Sequence, residues 1–95
     1  MYALDIKPEA DKIFKKLSKK NLRQLKIIYN KIKKIQLGPH HKYKFLKKPL
    51  QLFNRVHIDK HFVLIFKIHH KKEVVKIYHY DNHDQVYQWH PALPT

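Results

Sequence analysis

An α+β fold is what this sequence predicts: two N-terminal helices packed as a hairpin on one face of an antiparallel sheet, in the order β-α-α-β-β-β. Three patterns predict it. Apolar residues recur at the helical period up to Ile35, β-branched and aromatic residues alternate with polar ones from Phe53 onward, and Gly38-Pro39 falls between the two regimes. The 95 residues are enough for one domain and show no internal repeat or linker. The last six, 90–95, include two prolines and are expected to form a loose tail.

Tyr2 to Ile6 is β-prone and makes a first strand. Pro8 suits the first helical position, and Glu9 and Asp11 suit the positive end of a helix dipole, so a helix is expected over about Pro8 to Leu17. Ser18 to Asn21 reads as a break. Leu22, Leu25, Ile28, Tyr29, Ile32 and Ile35 then line one side of a second helix that Gly38-Pro39 stops. Pro39 to Leu52 reads as an irregular basic loop. A meander follows: Phe53 to Ile58, a turn at Asp59-Lys60, His61 to His69, a turn over His70 to Lys72, and Glu73 to Tyr80. Asp81 to Asp84 is turn-like, and Val86 to Trp89 makes a last helical turn or strand stub.

Charge narrows the function classes. The net charge is +14, and from Lys12 to Ile58 there are fifteen Lys or Arg residues and no Asp or Glu. Such a block repels itself and is tolerated when it faces an anion. Nucleic acid is the first partner to consider, an acidic protein segment the second and an anionic membrane the third. No apolar run approaches the roughly 20 residues of a spanning helix. The N-terminal residues do not resemble a secretory signal, and without cysteine there is no disulfide framework or thiolate chemistry. The expectation is a cytoplasmic protein that does not engage a membrane. Nineteen of the basic residues are Lys, suited to general attraction; the two that offer a bidentate fork are Arg23 and Arg55.

Strand parity puts Val56, Ile58, Phe62, Leu64, Phe66 and Ile68 towards the helices. Arg55 and His57 point the other way, with His61, Lys67, Lys76, Tyr78 and Tyr80 expected to join them. A face of Arg, Lys, His and Tyr suits a phosphate backbone and unstacked bases. RNA cleavage asks for a base to take the 2′-OH proton, cations to hold the charged phosphorane and an acid for the leaving 5′-oxygen. Imidazoles suit the proton transfers, and His57, His61, His79 and His83 are candidates; Arg55, Lys47 and Lys48 are candidate cations. That chemistry requires neither metal nor other cofactor. The adjacent pairs His40-His41 and His69-His70 diverge on an extended chain and show no third ligand.

The element order, the basic loop and the ending His83-Asp84-Gln85-Val86-Tyr87 together resemble the RelE/ParE superfamily of toxin–antitoxin toxins, and within it the RelE, YoeB and YafQ mRNA interferases. The resemblance covers roughly Met1 to Tyr87. Leu46-Lys47-Lys48-Pro49-Leu50 leads into Phe53-Asn54-Arg55-Val56-His57, as a leucine–lysine–x–proline–leucine segment leads into a basic strand in many members. The resemblance implies a RelE-like microbial RNase fold, RNA contacts from Arg55 and His57, proton transfer by His83 and a stacking or closing role for Tyr87. His57 or His61 would be the second proton-transfer group; Lys47, Lys48, Lys67, Lys76, Tyr78 and Tyr80 would bind RNA. The implied partners are a cognate antitoxin with an acidic or amphipathic segment, mRNA and the ribosome. Two departures stand out. His61-Phe62 replaces the Tyr-Arg pair whose arginine holds the scissile phosphate, and no acid precedes the strand as YoeB-type chemistry needs. The alternatives are a non-cleaving inhibitor of this fold, such as a ParE-like topoisomerase poison or a degenerate toxin, and a plain basic RNA-binding module.

Overall fold

The computed structural model describes residues 1–46 and 52–91. The elements are β1 (Ala3–Ile6), α1 (Pro8–Lys20), α2 (Leu22–Leu37), β2 (Lys44–Phe45), β3 (Asn54–Ile58), β4 (Phe62–His69), β5 (Val74–Asn82) and a closing 3-10 turn, Val86–Gln88. The expected α+β architecture is present, two helices against a sheet in the order β1-β5-β4-β3-β2. The sheet is mixed and not antiparallel throughout, because β1 lies parallel to β5 at the edge.

The helices follow local chemistry. Pro8 occupies the first turn of α1 beside Glu9 and Asp11. The break expected at Ser18 to Asn21 shrinks to one residue. The Ser18 hydroxyl donates to the Lys15 carbonyl at 2.6 Å, which keeps serine inside the helix. Asn21 receives the end of α1 through its N–H to the Leu17 carbonyl (2.8 Å). It also opens α2, its side-chain oxygen accepting the Gln24 N–H at 3.1 Å. Gly38, at φ 91°, ends α2 in a conformation other residues rarely adopt.

The helices bury Ala10, Phe14, Leu25, Ile28, Ile32 and Ile35 against Ile58, Leu64, Phe66, Val75, Ile77 and Tyr80 of the sheet. The opposite sheet face is not bare, as strand parity suggested. Leu46, Phe53, Val63, Ile65, Val86 and Trp89 form a second, smaller core there. That explains the nearly unbroken apolar run of β4, whose middle is buried on both sides.

One irregularity decides which β5 side chains reach that face. Ile65 pairs with His79, but Phe66 pairs with Ile77, so Tyr78 is an extra residue, a bulge. Tyr78 and His79 both contact the second core, and parity beyond them is inverted. Tyr80 is therefore not on the open face. It is 6% exposed, packed on Phe14 and Phe62, with its hydroxyl accepting from Gln24 Nε2 at 2.6 Å.

Candidate functional site

The open face carries its polar residues in rows set by strand pairing. Arg55 pairs with Ile65 and Ile65 with His79; one row on, His57 pairs with Val63 and Val63 with Asp81. The chain leaving β5 brings His83 over this edge. The His83 N–H donates to the His61 carbonyl in the β3–β4 turn at 2.8 Å, fixing the backbone of the loop. The His83 ring stacks on His57, centroids 5.6 Å apart and planes within 17°. Tyr87 meets His83 edge-on at 6.1 Å. His57, His61, His83 and Tyr87 are all exposed, as a site for a macromolecular substrate requires.

Arg55 is half-buried beside them. Among the described residues its enclosed Nε has no hydrogen-bond partner and no carboxylate pairs with it. An enclosed donor without a protein acceptor is costly unless an acceptor arrives. Arg55 and His57 line a groove of about 270 Å³ with Lys42, Tyr43 and Lys44 of the β2 edge. Burial pushes the Tyr43 phenol above its usual range, so it stays protonated beside these cations.

The second core holds this loop. Trp89 donates its indole N–H to Glu9 of α1 at 2.8 Å, and its ring stacks on His79 with centroids 5.4 Å apart. His79 lies between two carboxylates, Nδ1 3.6 Å from Glu9 and Nε2 3.4 Å from Asp81. His79, a proton-transfer candidate by residue type, is thus only 9% exposed and occupied in tying α1, β5 and the C-terminal turn together. Sequence reasoning missed Glu9 and Trp89 here, since nothing local connects residues 80 apart.

The other sequence-predicted residues divide. Lys67, Lys76 and Tyr78 line a second depression of about 290 Å³ with Phe45, Leu52 and His69, away from His83. The Lys67 ammonium sits over the Phe53 ring at 4.8 Å. Tyr80 is withdrawn to the helix side by the bulge. Lys47 and Lys48, and most of the leucine–lysine–x–proline–leucine segment, lie outside the described residues, as does the end of the tail, 92–95. Phe62 stacks on Tyr80 at 5.2 Å in the helix-side core, and Arg55 is the arginine of the open face. Among the described residues no three His, Asp or Glu side chains are arranged to hold a metal ion, and no helix is long and apolar enough to cross a membrane.

No protein-family model matches the chain. A protein of Methanocaldococcus jannaschii named "Putative toxin RelE4" is 46% identical over 88 residues, covering 93% of each chain. This chain belongs to the RelE-like toxins. An uncharacterized Methanosarcina mazei protein is 49% identical over 87 residues, 92% of this chain and all of that one. Among solved structures, the metal-bound toxin from Helicobacter pylori superposes with a TM-score of 0.74 at 21% identity, covering 90% of this chain and 99% of that one. A conserved hypothetical protein of Helicobacter pylori, solved in solution, gives 0.64 at 23% identity, with coverages of 88% and 97%. These two share the fold. As a RelE-like toxin the protein is the toxin of a toxin–antitoxin pair, and an antitoxin is its implied partner.

Proposed function

We propose that this toxin is an mRNA interferase that cuts RNA by 2′-OH attack at the His57–His83 edge of the sheet. The observation that carries the reading is the enclosed, unpartnered Arg55 Nε beside two stacked, exposed imidazoles. One histidine takes the 2′-OH proton as the oxygen attacks phosphorus. The bond from phosphorus to the 5′-oxygen breaks, and the other histidine, protonated, supplies the proton that this oxygen takes up. The products are a 2′,3′-cyclic phosphate and a 5′-hydroxyl. Arg55 holds the phosphorane oxygens, with Lys42 and Lys44 adding charge from the groove wall. His83 is the principal acid/base, His57 its partner, and His61 borders the site through its backbone bond to His83. Tyr87 stacks a base or closes over the ribose. Lys67, Lys76 and Tyr78 take the flanking strand. The scheme uses no cofactor. The substrate is mRNA on the ribosome, in the cytoplasm, and the antitoxin masks the basic surface with an acidic or amphipathic segment.

The test is to induce wild type and His83→Ala separately in cells and map new RNA 5′-hydroxyl ends. New ends are expected with wild type alone, the variant falling by about 100-fold or more, the scale of one lost proton-transfer group. Growth arrest without new ends would favour the second reading, a non-cleaving inhibitor of this fold. That reading draws on Phe62 standing where the family's arginine would be.

A further inference from the structure

The charge is not concentrated at the candidate site. Nine exposed Lys or Arg side chains belong to α1 and α2, on the far side of the sheet from His57 and His83. In each helix the buried positions define an inner side: Ala10 and Phe14 in α1; Leu25, Ile28, Ile32 and Ile35 in α2. At 100° per residue Lys12, Lys15 and Lys19 fall opposite the first set, and Arg23, Lys26 and Lys33 opposite the second. Lys12 and Lys19 lie two turns apart on α1, about 10 Å along the axis, and Lys26 and Lys33 repeat that spacing on α2. One ion pair touches this surface, Lys15 to Asp11 at 3.1 Å. Glu9, the other acid of α1, is engaged with Trp89.

Lysine-rich composition alone does not produce this. Surfaces rich in lysine for solubility or heat resistance interleave glutamate and gain ion-pair networks. Here no acid occurs between Lys12 and Ile58 to make such pairs. The cations face one another without compensation, an arrangement that an external polyanion relieves.

The surface also states which polyanion. Protein interfaces deplete lysine and gather apolar anchors at their centre. The exposed apolar residues of the two helices, Leu22, Tyr29 and Leu37, gather into no centre: they follow one another at about two turns along α2, with Lys26 and Lys33 between them. Single-stranded RNA is held by stacking its bases on aromatic rings. The helices offer no row of rings: Phe14 is buried, and the single exposed ring, Tyr29, packs against Phe14 at 5.8 Å. What remains is a reader of phosphates, suited to a double-helical RNA recognised by backbone and shape.

We infer that the outward face of the α1–α2 hairpin is a second RNA-binding surface, which holds the phosphate backbone of a double-helical RNA on the opposite side of the sheet from the His57–His83 site. It stands independently of the cleavage reading, since it needs no proton transfer.

The probe is a blunt RNA duplex of about 16 base pairs, long enough to span two minor grooves. Binding to the full chain is followed by fluorescence anisotropy between about 50 and 200 mM KCl. The variant combines Lys12→Gln, Lys19→Gln, Lys26→Gln and Lys33→Gln; these side chains are exposed and take part in none of the ion pairs among the described residues. Its melting curve reports that the fold persists. The expected result is at least about a tenfold weaker duplex complex at the lowest salt, and a slope of log K against log salt shallower by about three to four. Arg55→Ala and His83→Ala are expected to bind the duplex within about twofold of wild type, less than one phosphate contact is worth. Several results overturn the inference. They are unchanged duplex binding by the fourfold variant, an equal loss in Arg55→Ala, binding of polyglutamate with no duplex binding, or capture by phosphatidylglycerol vesicles with no duplex binding. The third reassigns the face to an acidic protein and the last to a membrane. Failure of the cleavage reading leaves all of these results readable, because none depends on new RNA ends.

Discussion

Tyr80 shows how a single side chain parts from its expected role. Its phenol is buried under the helices, and burial raises its pKa, with the Gln24 hydrogen bond acting in the opposite direction. The fold therefore prefers the protonated form. This contribution to stability is whole below the unfolded-state value near 10 and is lost as pH rises through it towards the raised folded value. Tyr80→Phe strands the buried Gln24 amide and is expected to cost about 1–3 kcal/mol at neutral pH. It is also expected to flatten the alkaline loss, so urea unfolding of the two proteins at about pH 8 and pH 11 checks both effects. Lysines titrate in the same range, but they are common to both proteins and drop out of the difference. Arg55 is the converse case. A strand-face ion pair with Asp81 would be a plain structural role for it, but Asp81 meets His79 and accepts the Asn82 N–H at 2.8 Å.

Among the elements, α2 was the most legible, because a 3.6-residue apolar rhythm has one physical solution and Gly38-Pro39 closes it. The meander was legible for the same reason at period two, and so were Arg55 and His57, which share one uninterrupted strand. The bulge was not. Tyr78-His79-Tyr80 reads as ordinary strand, and the choice to leave Tyr78 unpaired comes from packing Phe66 and Ile77 in one core and Ile65 and His79 in the other. Two-residue β2 and the parallel docking of β1 depend on partners distant in sequence and leave no local signature. The closing turn was foreseen as a stub, but its task was not. It is anchored by Val86 and Trp89, and it carries His83 and Tyr87 in the span between Asn82 and Trp89. Trp89→Ala is expected to cost about 3–5 kcal/mol. On the cleavage reading it also lowers the rate without touching any group at the site; urea unfolding and a cleavage time course separate the two effects.

Across the whole molecule, fold and family were readable because element order and spacing are properties of the entire chain and tolerate degenerate motifs. The distribution of charge over the two faces was less readable. Sequence gives the sum of charge, whereas only the packed structure shows nine exposed cations on the helices and a smaller set, around Arg55, at the imidazole pair. The sheet is thus a partition: the exposed histidine pair with Arg55, Lys67 and Lys76 on one side, the exposed lysines of the helices on the other. The two apolar clusters it separates are unequal: among the described residues twelve are buried between helices and sheet and six behind the closing turn. A cluster half the size, closed by one turn, is the part of such a molecule that opens first. Native-state hydrogen exchange is expected to protect Leu64 and Ile77 at the global level while the amides of Gln88 and Trp89 exchange through a cheaper, local opening. The loop that carries His83 would then be able to detach and re-dock while the rest of the protein remains folded, and on the cleavage reading whatever binds the detached form would silence the toxin without unfolding it.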